Sequence, residues 1–182
     1  GGTTTSAAAN LTSTLTEGSH ILYLCASDNA GNVVTWNGVY KWDNGNPLVN
    51  ITTHTLNTYR SANIPAKIQG AASDVLSSIS SVAVSIYNGA LYWSGATFNS
   101  ASQVWLAATG TTTWEYTFIP SSDGDYTLYS RATDGANNTL VSSATNFTYD
   151  ETSPIFSTSE GSTPGSDNAT ITWTTDEEAS SQ

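Results

Sequence analysis

Positive charge is scarce: the 182-residue chain has four Lys and Arg against fifteen Asp and Glu, a formal net charge of −11. A surface that acidic is repelled by nucleic acid and by anionic membrane faces, which argues against either as a partner. A single cysteine, Cys25, leaves no intrachain disulfide to form. Methionine is absent and no basic-then-apolar leader opens the chain, so the sequence reads as a processed form or an internal excerpt. No run of 18 apolar residues occurs, so no segment reads as a helical membrane span. Helical spacing is missing as well, since no window of eleven residues places apolar side chains three and four apart. The stretch 71–81 comes nearest, and its Ser-rich make-up reads as a loop into a strand starting at Ser81.

What is present is β material. Ser and Thr number 55, and nine Tyr with six Trp supply bulk for a core. Apolar residues alternate with period two at Val82, Val84 and Ile86, at Trp114, Tyr116 and Phe118, and at Leu128, Ser130 and Ala132. Gly, Asn, Asp or Ser bounds each run, the pattern of strands closed by turns. The chain also repeats itself. EGSHILYLCASDNAGN (17–32) matches DGDYTLYSRATDGANN (123–138), with Gly18 to Gly124 and Asp28 to Asp134 both 106 positions apart. YKWDNGNPLV then matches FTYDETSPIF, Asp43 falling on Asp150 at a spacing of 107. A period of that length is one sandwich domain and is far longer than a solenoid unit. It divides the chain into the last strands of one domain (1–45), a complete domain (46–152) and the first strands of a third (153–182).

Asp123-Gly124-Asp125-Tyr126-Thr127-Leu128 resembles the D-G-x-Y-x-apolar start of the sixth strand in immunoglobulin-like sandwiches. The resemblance implies that the Tyr126 hydroxyl bonds back to the backbone at a corner and that Leu128 faces the core, where antibody domains carry a disulfide cysteine. In the first unit these positions are His20 and Leu22, so that corner is altered. Tyr92-Trp93, Phe98, Trp105-Leu106, Gly110-Thr111 and the stretch 114–118 are similar to the tandem Ig-like (Big-type) repeats of prokaryotic surface proteins. ATITWTTDEEASSQ (169–182) is similar to the second strand of a fibronectin type III-like domain with its succeeding segment. The fold implied is all-β, tandem immunoglobulin-like β-sandwiches with one complete and partial ones flanking it. Tyr126, Leu128, Trp114, Tyr116 and Phe118 are its structural residues. Asp- and Pro-bearing joints at 43–47 and 150–154 stiffen such a string.

Few residues carry reactive chemistry. His20 and His54 are the neutral-pH bases and fall in different units; no nucleophile elbow, zinc, phosphate or dinucleotide motif accompanies them. No catalytic or organic cofactor site is expected. Calcium is the cofactor to consider. The hard oxygen donors Asp28, Asn32 and Asp43 recur as Asp134, Asn138 and Asp150, with Asp74 and Glu151 next in line, although Asp and Asn in hairpins usually bond their own backbone. Sequons stand at Asn10, Asn50, Asn137, Asn146 and Asn168, about the number that so Ser/Thr-rich a chain yields by chance. Cys25 reads as a partly covered small hydrophobe rather than a reactive thiol. Lys41 and Lys67 are the only lysines for an isopeptide cross-link, and Lys67 points outward. Tyr92, Trp93 and Trp105 read as packing rather than a sugar platform.

These readings lead to a non-enzymatic structural or adhesive segment of a large extracellular or cell-surface protein, a semi-rigid stalk. Its partners would be neighbouring domains of the same chain, other copies of itself, or a host-surface protein or glycan, with no nucleic acid and no membrane insertion. Two alternatives stay open. One is a filament subunit whose incomplete first unit is covered by the trailing strands of a neighbour. The other is a spacer module of a secreted hydrolase.

Overall fold

The computed structural model describes residues 15–177, so Asn10 lies outside the described part. Strands form in three blocks that do not share sheets. The first is a hairpin of β1 (Gly18–Ser27) and β2 (Val33–Trp42). The last is a hairpin of β15 (Phe156–Pro164) and β16 (Ala169–Thr175). Between them lies a two-sheet sandwich, and no helix occurs among the described residues.

One sheet of the sandwich runs in the order β10 (Thr109–Gly110), β11 (Thr113–Thr117), β5 (Lys67–Ser73), β3 (Leu48–Ile51). The other runs β4 (Thr58–Tyr59), β14 (Thr145–Tyr149), β12 (Gly124–Asp134), β6 (Ile79–Tyr87), β7 (Tyr92–Trp93), β8 (Phe98–Ser100). Two short strands sit off this path: β9 (Leu106–Ala107) against β6 and β13 (Thr139–Val141) against β12. Pairing is antiparallel except between β4 and β14. This is the immunoglobulin-like arrangement, with the first and second strands in one sheet facing the third, sixth and seventh in the other.

The alternation seen in the sequence sets the core. Val82, Val84 and Ile86 face Ile68, Ala72 and Trp114 across the sandwich, and all are buried. Tyr126, Leu128 and Ala132 project from β12 into the same layer, with Phe118 and Phe147. Tyr116 packs against this cluster only partly buried. Gly70 allows the sheets to close: a Cβ there would lie 2.0 Å from the Asn50 carbonyl oxygen and 2.3 Å from the Trp114 ring. Two expectations are corrected. Residues 71–73 end strand β5 rather than belonging to a loop, and β6 begins at Ile79, because residues 74–78 alone suffice for the turn.

The corner motif is present twice. Tyr126 Oη donates to the Ser122 carbonyl at 2.8 Å, and at the matching place His20 Nε2 meets the Thr16 carbonyl at 2.6 Å. Strand register repeats as well. Gly18 faces Trp42 and His20 faces Tyr40, as Gly124 faces Tyr149 and Tyr126 faces Phe147. The difference lies in cover. His20 and Leu22 of the first hairpin are half-buried and Tyr40 is exposed, whereas their matches Tyr126, Leu128 and Phe147 in the sandwich are buried beneath the opposite sheet.

Candidate functional site

The turns after β1 and β12 share one construction. Asp134 Oδ1 accepts the backbone N–H of Ala136 and of Asn138, both at 2.8 Å, while its Oδ2 accepts Asn138 Nδ2 at 2.9 Å. Asp28 makes the corresponding bonds to Ala30 and Asn32 at 2.7–2.9 Å. This network, led by the Asn32 side chain, lowers the Asp28 pKa from its ordinary value. Backbone bonding of this kind is what short polar side chains do in turns, and it orders a hairpin without any ligand. Surroundings separate the two copies. Asp28 is exposed, whereas Asp134 is fully buried.

Asp134 is buried because two other loops meet it. Asp43 lies in the connection between β2 and β3, where its Oδ1 accepts the Gly45 N–H at 3.0 Å. Asp74 lies in the turn between β5 and β6; its Oδ1 accepts the N–H groups of Leu76 at 2.9 Å and Ser77 at 2.7 Å. Those bonds, the Ser77 N–H foremost, hold the Asp74 carboxyl below its usual pKa. One oxygen from each of Asp43, Asp74 and Asp134 can be chosen so that all lie within 4.8 Å of one another. Beside them opens a cleft of about 580 Å³, lined by Tyr40, Trp42, Ser77 and Gly135 among others. Two bonds cross it: Asn138 Nδ2 to the Asp43 carbonyl at 3.2 Å and Lys41 Nζ to the Leu76 carbonyl at 3.0 Å.

Of the six residues singled out for calcium, the structure thus brings together Asp43, Asp134 and Asn138. Asp28 and Asn32 stand apart at the tip of the first hairpin. Asp150 sits at the second joint, where its Oδ1 accepts the Thr152 N–H at 3.0 Å, as Asp43 does for Gly45. Burial first, then the negative charge of Asp150, raises the pKa of the Glu177 carboxyl there. Glu151 instead accepts the Ser61 N–H. Asp74, a secondary candidate by sequence, completes the first cluster. It has no counterpart within the matched stretches, and only the packing of the β5–β6 turn against the joint discloses it.

The remaining candidates separate clearly. Asn50, Asn137, Asn146 and Asn168 are all exposed. Cys25 is exposed too, not partly covered, because nothing among the described residues lies over that face of the hairpin. Lys67 pairs with Glu115 on the outer face. Trp93 packs at 5.0 Å on Phe98 and 5.5 Å on Phe118, Tyr92 at 4.8 Å on Tyr87, and Arg131 lies 4.6 Å over Trp105. Each of those rings therefore has a partner within the chain. His54 is buried between Tyr59 and Phe147, with its pKa lowered to about 4 by desolvation.

No protein-family model matches the chain, and no curated protein matches it. Among solved structures, one described as a tetra-tandem repeat in the extending region of a large adhesion protein is similar, at 22% identity and a TM-score of 0.43. The likeness covers 90% of this chain and 46% of that one, so the present chain spans about half the length of that neighbour. A likeness of that extent carries no argument about what this chain does.

Proposed function

We propose that the chain is a structural, non-enzymatic stalk segment of a large cell-surface or extracellular protein, built of Big-type immunoglobulin-like repeats that lead into a fibronectin type III-like unit. The observation that carries this reading is the repeated hairpin: the same register, corner bond and Asp-to-Asn turn recur at one-domain spacing. A string of such beads joined through Asp-bearing linkers has length and stiffness as its natural product, and adhesion at a distance as its natural use. Small-angle X-ray scattering of the full chain tests this. A compact globule of this length would have a radius of gyration of about 16 Å; an extended particle well above that value is expected, and the compact value would overturn the reading.

The uncovered apolar residues of the first hairpin favour a second reading. Ile21, Tyr23 and Val39 are exposed on one of its faces, and Leu24 and Tyr40 on the other. Strands donated by a neighbouring copy would cover them and build a filament. Size-exclusion chromatography separates the two. Polymers that vanish on deletion of residues 154–182 support the filament, and a monomer at all concentrations supports the stalk.

A further inference from the structure

The larger sheet of the sandwich covers the core with one face, and the opposite face of such a sheet is ordinarily polar. Here it is not. β6 and β12 turn Val84, Ile86, Leu128 and Ala132 inward, so the alternate residues Tyr87, Tyr129 and Arg131 face out. Tyr92 of β7 joins them, opposite Tyr87 in register with the ring centroids 4.8 Å apart. Trp105, the residue before β9, joins from the other side, with the Arg131 guanidinium 4.6 Å over its ring. Trp93 turns the other way, onto Phe98 and Phe118. The four outward rings and Arg131 are all half-buried, so each keeps part of its surface in water. Ser85 lies among them, opposite Tyr129 in register, and is fully buried although its side chain belongs to the outer face. Its neighbours on that face close over it, and the patch therefore has a packed floor.

We propose that this patch binds an acidic glycan of the uronic-acid type, with a sugar ring against Trp105 and Tyr129 and its carboxylate on Arg131. Arg131 supplies the charge selectivity. Among the described residues the ion pair is that of Lys67 with Glu115, on the other sheet, and nothing pairs with or hydrogen-bonds the Arg131 guanidinium. A guanidinium resting over a ring uses its face and leaves its in-plane N–H groups free. Those groups form the fork that takes a carboxylate through two parallel bonds. The acidic residue on this face of β12, Asp125, is six positions from Arg131, about 20 Å along the strand, and does not compete. The hydroxyls of Tyr92 and Tyr129 and Trp105 Nε1 also lack hydrogen bonds among the described residues, which leaves them for sugar hydroxyls. Extent decides between a sugar and a protein. From Arg131 to the level of Tyr87 is about 13 Å, and the three strands involved span about 10 Å. Beyond it the face continues as Thr127 and Asp125 at one end and as Thr133 and Ser81 at the other. An area of about 130 Å² suits one or two sugar rings, whereas each partner in a stable protein interface gives about 800 Å².

This inference goes beyond the stalk reading and does not depend on it, since the patch belongs to the sandwich alone. Its test is calorimetric titration of the full chain, in chelator, with an oligosaccharide of galacturonic acid and with the same oligosaccharide after carboxyl reduction. The acidic form should bind with a Kd of about 1 mM or tighter, and the neutral form roughly tenfold more weakly. Arg131→Lys keeps the charge but loses the fork, and should weaken the acidic form roughly tenfold. Trp105→Ala should remove measurable binding. Lys67→Gln, on the other sheet, should leave it unchanged. Thermal melts equal to that of the parent verify the fold of each variant. Absence of heat up to about 10 mM of the acidic form would overturn the proposal. So would equal binding of the acidic and neutral forms, an unaltered Kd in Arg131→Lys, or an equal loss in Lys67→Gln. A Glu-rich peptide that binds as tightly as the uronate would also overturn it, and would assign Arg131 to a protein partner.

Discussion

At the scale of single residues the strongest constraints lie where a side chain has no freedom to respond. His54 sits at φ 59° with its ring buried, and burial lowers its pKa from 6.5 to about 4. The folded state therefore resists taking a proton that the unfolded chain accepts. Stability from the neutral ring is complete above pH 6.5 and is lost as pH falls through the interval down to about 4. The full effect is about 3 kcal/mol, of which about 2 kcal/mol is gone by pH 5. Urea midpoints at pH 7 and pH 5 should fall accordingly in the native chain and much less in His54→Asn, since Asn tolerates the left-handed backbone. Equal falls in both would assign the acid sensitivity to carboxylates instead. Gly70 is constrained by space rather than charge. Gly70→Ala would drive a Cβ into the Asn50 carbonyl and the Trp114 ring; the carbonyl cannot retreat without parting β3 from β5, nor the buried ring without disturbing the core. A loss of about 3 kcal/mol or more, at the upper end of overpacking costs, should appear in chemical denaturation.

At the scale of elements, legibility in the sequence followed periodicity. β6, β11 and β12 were readable because Val82, Val84, Ile86, Trp114, Leu128 and Ala132 obey the period of a strand with one buried face. β5 was obscured because its inward positions are Ile68, Gly70 and Ala72, two of them small so that Trp114 can lie over them. A strand whose core face is nearly bare shows no amphipathic signal. The same logic divides the site. Asp43 and Asp134 could be found because the repeat marks them, whereas Asp74 reaches the cluster through tertiary packing that no local pattern encodes. The paired turns offer a direct comparison at this scale. Asp28→Ala and Asp134→Ala remove the same set of hydrogen bonds, yet only Asp134 is itself buried, with its partners half-covered, so water replaces its bonds less readily. Loss of Asp28 should cost about 0.5–1 kcal/mol and loss of Asp134 about 2–4 kcal/mol, measured in chelator so that metal plays no part. Equal penalties would show that burial of the second turn has no energetic consequence.

At the scale of the whole molecule the question is how strongly the blocks depend on one another. The core residues all fall between Tyr59 and Tyr149, so the sandwich owes its hydrophobic stabilisation to its own two sheets. Among the described residues the side-chain hydrogen bonds across the first joint are those of Asn138 to Asp43 and Lys41 to Leu76, the latter exposed. Such bonds contribute about 1 kcal/mol each at most, and in the absence of a cation they are what excision of residues 46–152 removes on that side. The excised piece should therefore fold alone and melt in one cooperative transition, within about 2 kcal/mol of its stability in the full chain in chelator. Calorimetry of both proteins measures this. A piece that fails to fold would mean that the first hairpin is an integral part of the sandwich. In that case the repeat would record shared ancestry of the strands and not independent beads.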